Sequence, residues 1–340
     1  MREAIRLLEQ GIDEGLHLGA QLVVRRHGDI VADLAVGESR PGVSMRTDTA
    51  LPWQSMSKVV TALAVARQWE RREVGLDDPV AAHIPEFTAD ATVRRLLTHT
   101  GGLDNGQLRR AESDGAGWRE SLGIVCAASS DGPRAAYQPR GTYLALAELV
   151  RLIDGRPYDE YVRDDVLRPL GAQRSGFLLP AEPMYAMSGD GRSELRAADA
   201  VRPSSGIVGP ASDVALLFEA LLHGGEPVVS PPVVEAMTAR HRVGRRDETF
   251  GVVIDWGLGF IVNSWQYQRR PAPYGFGNHA SDRTFGHGGS ESSVAFADPE
   301  RGVVVALICN GMPGEKANHR RSQAVLDAVW ADLGIADSDR

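Results

Sequence analysis

Strand-forming segments lie near both ends of this sequence and leave the middle to helices, and that placement constrains the fold more than any other feature. Residues 21–26 and 29–36 are rich in β-branched side chains and are separated by His27-Gly28, which predicts a hairpin. Residues 293–297 and 302–309 are two further apolar runs around Asp298-Pro299-Glu300-Arg301-Gly302, and shorter strand-like pieces occur at 252–254 and 259–262. Between these ends, helical spacing or unbroken helix-forming sequence covers 55–71, 93–99, 144–154, 158–167 and 210–223. Residues 2–15 and 317–333 add an amphipathic helix at each end, and 103–136 shows only weak patterning. The simplest architecture is an α/β (α+β) fold whose antiparallel sheet is built from both chain ends and flanked by helices. Residues 1–76 and 201–340 would form the sheet subdomain, and 77–200 an inserted, mostly helical subdomain.

The chain's 340 residues allow one large domain or two subdomains, and its formal net charge of -8 argues against a nucleic-acid surface. No run is apolar enough over the roughly 20 residues that a bilayer requires, so no membrane partner is expected. The charged N-terminal segment lacks the apolar core of a secretion signal, which favours a cytoplasmic protein. Cys126 and Cys309 stand far apart, with no Cys-x-x-Cys, so neither a disulfide framework nor a catalytic cysteine is expected. The histidines show no metal-ligand spacing and no phosphate-binding glycine loop occurs, so neither metal nor nucleotide cofactor is expected.

The chemistry centres on Ser55-Met56-Ser57-Lys58. A serine hydroxyl needs a base to attack a carbonyl. Residues i and i+3 share a helix face, so Lys58 can reach Ser55. Lysine is a base only when neutral, and burial in this apolar helix would lower its pKa. The start of a helix would further favour a developing oxyanion, with the Ser55 N–H as a donor. Ser57 is the rival serine, but it has no lysine three residues on.

The stretch from Leu51 to Leu63 resembles the nucleophile helix of the serine β-lactamase-like superfamily, particularly class C β-lactamases, family VIII esterases and transacylases. Leu96-Leu97-Thr98-His99-Thr100-Gly101-Gly102-Leu103 resembles a second motif of that family, with Gly101 where serine is usual. Gly286-His287-Gly288-Gly289, followed by Phe296-Ala297-Asp298-Pro299, resembles its third, and 155–158 and 167–171 also fit. The resemblance implies a tyrosine that shares proton transfer with Lys58. Tyr137, 18 residues before Gly155, suits that role better than Tyr143, which reads as a packing aromatic. The family's Tyr-x-Asn is Tyr137-Gln138-Pro139 here, so the residue that would hold a substrate amide is missing. The resemblance also assigns substrate binding and the oxyanion to Gln54, His287, Gly288, Gly289 and Ser290, with the Ser290 N–H as second donor and His287 donating to substrate or to Tyr137. His99 reads as bracing a turn.

These features together predict a carboxylic-ester hydrolase or transacylase that works through an acyl-Ser55 intermediate, with Lys58 and Tyr137 moving the proton. Its expected partners are a small acyl donor and an amine or alcohol acceptor. A β-lactamase or D-Ala-D-Ala-type peptidase is the alternative, and a non-catalytic binding relative a third. The acyl pocket is expected near 104–136, Trp256 and 265–282.

Overall fold

The computed structural model describes residues 1–103, 106–130, 132–188, 191–195, 200–267 and 273–335. Its main sheet has eight strands: β1 (Gly19–Arg26), β2 (Asp29–Arg40), β3 (Val43–Ser44), β4 (Asp255–Trp256), β5 (Ile261–Val262), β6 (Phe285–Gly289), β7 (Ser293–Asp298) and β8 (Val303–Cys309). The order is β3-β2-β1-β8-β7-β6-β5-β4 with antiparallel neighbours throughout. The β1–β8 pair, with Ala20 opposite Cys309 and Arg26 opposite Val303, joins the two chain ends. At the β1–β2 turn His27 and Gly28 both take positive φ, 52° and 91°, the geometry that matches the twist of paired strands.

Strand alternation sorts the core into two layers. Val303, Val305 and Leu307 face one side with Leu22, Val24 and Phe296. They pack there beneath the helices Arg2–Asp13 and Glu315–Asp332 through Ala4, Leu8, Leu326 and Trp330. Val304, Ala306 and Ile308 face the other side with Ala295 and Ala297, in the core shared with the helices Ala211–Leu222 and Ser57–Glu70. Each fully buried Val or Leu contributes about 1.5–3 kcal/mol, and β8, buried along its whole length, supplies such residues to both layers. The helix Ser57–Glu70 is buried on nearly every side, from Ser57 through Ala66. That suits an internal element that can desolvate a side chain.

The middle of the chain supplies the helices Pro139–Asp154, opened by a proline in its first turn and closed by Gly155 at φ 85°, and Tyr158–Tyr161, continued as a π-helix over Val162–Leu167. Two helices, Gly106–Ser113 and Trp118–Cys126, occupy the weakly patterned stretch. Trp118, Leu122 and Val125 do recur at helical spacing there, but glycines on both sides obscured it. A hairpin of Met184–Ser188 and Gly191–Leu195 pairs in parallel with Gly311–Met312. The strand expected at 252–254 is displaced to Asp255–Trp256, and the helix expected from Ser55 opens as a 3-10 turn over Gln54–Met56. Among the described residues no helix is long and apolar enough to cross a membrane.

Candidate active site

The turn that carries Ser55 is fastened to residues 203–209. Leu51–Pro52 pairs with Val208–Gly209, Trp53 N–H donates to Ile207 O at 2.9 Å, and the Trp53 indole donates to Gly209 O at 3.2 Å. Gln54 sits at φ 53°, a conformation rarely adopted by a residue with a side chain and one that clusters at functional turns. The two serines divide their work. The Ser57 hydroxyl donates to Gln54 O at 2.8 Å and accepts from Ile207 N–H at 3.1 Å, so it is a structural brace. Ser55 Oγ instead lies 2.8 Å from Lys58 Nζ, and Ser55 keeps only 8% of its surface exposed.

Lys58 is fully enclosed, 1% exposed, and Nζ also donates to Ser204 O at 2.6 Å. Among the described residues no carboxylate pairs with it. Burial therefore holds its pKa well below the ordinary lysine value, and the Arg140 charge pushes the same way. An amine whose charged form is disfavoured by burial, 2.8 Å from a hydroxyl, is placed to take that hydroxyl's proton.

Above this pair lies a shell of rings. Tyr137 and Tyr143 both face Lys58 Nζ, with ring centres 5.4 and 5.5 Å away. They differ in what else they meet. Burial raises the Tyr137 phenol above its usual pKa and the nearby Ser55 hydroxyl opposes that rise, although Tyr137 Oη makes no hydrogen bond in this geometry. Tyr143, inside the helix Pro139–Asp154, is raised further by burial and then by Tyr137 and Tyr158, with no influence from Ser55. The His99 ring lies 4.6 Å from Tyr137 and 4.6 Å from Trp256, and neither of its nitrogens has a partner. Its backbone does form a turn, at φ 52°, but its ring is also a wall of the site. Burial, then Arg242 and Lys58, keeps it neutral.

Strand β6 closes the opposite side. A Cβ on Gly289 would lie 2.7 Å from both Trp53 O and Gln54 Cβ, so only glycine lets β6 lie this close to the nucleophile turn. A Cβ on Gly288 would meet the Tyr274 ring at 2.0 Å. Ser290 follows directly, half-buried in the turn after β6. His287 is 1% exposed, and burial, then the Lys58 charge, pushes its pKa down to about 3. Its Nδ1 is 2.7 Å from Gly288 O, which must accept, so the single ring proton sits on Nδ1. Nε2, unpartnered, is then an acceptor. With that tautomer Nε2 would accept from Tyr137 Oη or a substrate hydroxyl, where the sequence reading has His287 donate.

A cavity of about 300 Å³ reaches the site at Ser204, whose carbonyl accepts from Lys58; Trp118, Leu144, Tyr158 and Val201 also line it, with Arg140, Arg202 and Glu112 at its wall. Arg140 pairs with Glu112, and Arg202 Nη1 reaches the same carboxylate at 3.4 Å. The expected pocket near 104–136 overlaps it through Glu112, Ala116, Gly117, Trp118 and Ser121. The wall from 140–159 and 200–204 had no sequence signal. Trp256 lies in the ring shell rather than in this cavity, and residues 104–105, 131 and 268–272 fall outside those described. Pro139 stands where the amide-holding asparagine would be, and it has neither an amide side chain nor an N–H to offer. Arg242, Asp247, Phe250 and Ser204 also surround the site, and no motif marked them.

The β-lactamase family model matches residues 4–329 of this chain. Esterase EstB of Burkholderia gladioli is 29% identical to it, over 96% of this chain and 94% of EstB. Penicillin-binding protein 4 of Amycolatopsis lactamdurans is 29% identical, over 86% of this chain and 81% of its own length. Among solved structures, EstCE1, described as a hydrolase with promiscuous acyltransferase activity, has a TM-score of 0.84 at 24% identity, covering 97% of this chain and 98% of EstCE1.

Proposed function

This chain belongs to the β-lactamase family, and we propose that within it the protein is a serine carboxylic-ester hydrolase or transacylase. The observation that carries this reading is the 2.8 Å contact between Ser55 Oγ and a buried Lys58 with no carboxylate partner among the described residues. Ser55 Oγ attacks the ester carbonyl while its proton passes to Lys58 Nζ. The oxyanion forms between the backbone N–H groups of Ser55, in the unsatisfied first turn of its helix, and Ser290. As the ester C–O bond breaks, the proton returns through Lys58 and Tyr137 to the leaving alkoxide. The acyl group on Ser55 is then released to water, an amine or an alcohol. The esterase EstB likeness supports ester chemistry. We place the acyl group toward the cavity that opens beside Ser204, whose surface is largely apolar. Two free, buried cysteines fit a reducing, cytoplasmic setting.

The alternative is a β-lactamase or D-Ala-D-Ala-type peptidase, supported by the likeness to a penicillin-binding protein. Pro139 in place of the amide-binding residue weighs against it.

The test is covalent labelling with a fluorophosphonate, with turnover of p-nitrophenyl acetate and nitrocefin measured in parallel. Wild type should take one label, Ser55→Ala none, and the ester should turn over far faster than nitrocefin. A label that persists in Ser55→Ala, or nitrocefin turnover exceeding the ester, would overturn the reading.

A further inference from the structure

We propose that the buried ion pair of Arg242 and Asp247 is the positioning device of the Tyr137 side of the site, setting where the Tyr137 hydroxyl stands relative to Ser55 and Lys58. The proposal rests on the acyl-enzyme reading above. Both side chains are sealed, Arg242 at 1% and Asp247 at 0% exposure, with Nη2 2.9 Å from Oδ2. A buried ion pair is weak evidence for stability, because losing water offsets much of the attraction. What its remaining hydrogen-bonding groups hold is more informative.

Asp247 Oδ1 accepts from the backbone N–H of Tyr137 at 3.3 Å, of Thr249 at 2.9 Å and of Phe250 at 3.1 Å. The same loop grips the far side of the tyrosine: Thr249 Oγ1 donates to Tyr137 O at 3.1 Å, and Glu248 N–H donates to Ala135 O at 2.8 Å. Arg242 Nη2 also donates to Ile254 O at 3.2 Å, and Nη1 donates to Thr98 O and His99 O at 3.4 Å each. Its guanidinium lies 5.3 Å from the centre of the Trp256 ring.

Tyr137 Oη has no hydrogen-bond partner, so its place is set by its own backbone and by the rings packed on it. Those rings are His99 at 4.6 Å, Phe250 at 5.0 Å and Trp256 at 5.6 Å. The pair contacts every one of these supports: the His99 carbonyl, the Phe250 and Tyr137 amides, and the Trp256 face. Arg242 and Asp247 therefore act through Tyr137 without touching Ser55, and they are positioning residues.

A double-mutant cycle tests this, with p-nitrophenyl acetate acylation and fluorophosphonate labelling as readouts. Asp247→Asn keeps a carbonyl to accept the three amides but loses the charge that orients Arg242. Arg242→Lys keeps the charge but not the fork that reaches Asp247, Thr98, His99 and Ile254, and it carries the test if Asp247→Asn does not fold. In the wild-type background the variant should lower the acylation rate about 10-fold with KM little changed, a part of the roughly 10²-fold that a 1 Å misplacement can cost. In a Tyr137→Phe background the same substitution should cost less than about 2-fold, because the hydroxyl it positions is gone. Equal losses in both backgrounds would overturn the proposal and leave the acyl-enzyme reading intact. Failure of wild type to take the label would instead remove that reading, and the proposal with it.

Discussion

Ser55 and Lys58 come from a single helical turn, three residues apart, and their 2.8 Å contact is fixed by helix geometry. The Tyr137 side is assembled from five separated segments around 98–99, 137, 242–250, 256 and 287. The two sides also solve different problems. The first must favour the neutral form of an amine, and it does so by sealing the lysine inside a helix buried on nearly every side. The second must aim a hydroxyl that has no bond of its own, and it does so by fixing the backbone and the neighbouring rings. Chemistry on the first side thus depends on desolvation, and on the second on packing and orientation.

The largest effect should come from the local side. Lys58→Met should lower kcat/KM by roughly 10³-fold or more, as loss of the group that activates a nucleophile does. Tm should change little, because relief of a buried amine offsets the partner that the Ser204 carbonyl loses. Steady-state kinetics and thermal unfolding on one preparation check both. A Lys58→Met enzyme that keeps its rate would assign the base to the tyrosine side and erase the contrast.

The contrast also explains what was legible in the sequence. Ser55 and Lys58 could be read because a spacing of three has one structural meaning in a helix. The sheet could be read because strand segments such as 303–309, buried on both faces, are long and apolar. Tyr137 needed the resemblance as a guide, since both Tyr137 and Tyr143 lie about 5.5 Å from the same Lys58 Nζ. Arg242 and Asp247 carried no signal: an arginine and an aspartate five residues apart look like surface charges, and only the fold shows that both are buried. His287 was legible in place, and its role turns on a tautomer that one carbonyl contact sets.

The next effect separates the two tyrosines. Tyr137→Phe should lower acylation by about 10²-fold, within the range of general acid–base contributions. Tyr143→Phe should change it by less than about 3-fold, since it removes a buried hydroxyl that has no partner. Burst kinetics with p-nitrophenyl acetate measure both. The reverse ranking would move the proton-sharing role into the helix Pro139–Asp154 and make the second side as local as the first.

The smallest effect probes how the cavity acts on the local side. Lys58 is held low first by burial and then by the Arg140 charge. Catalysis needs the neutral amine, so kcat/KM should climb as pH rises through the Lys58 pKa, and the acid limb should lie well below the ordinary lysine range. Arg140→Met removes the second downward push, so the lysine should hold its proton to higher pH and the acid limb should shift upward. The Arg140 side chain is 41% exposed and paired with Glu112, so water and its partner weaken its influence and the shift should be modest. Added salt should move the wild-type limb toward that of the variant, because screening acts on the exposed guanidinium more than on the sealed amine. A limb that stays in place in Arg140→Met, at low salt, would mean that burial alone keeps Lys58 neutral and that the cavity has no electrostatic hold on the base.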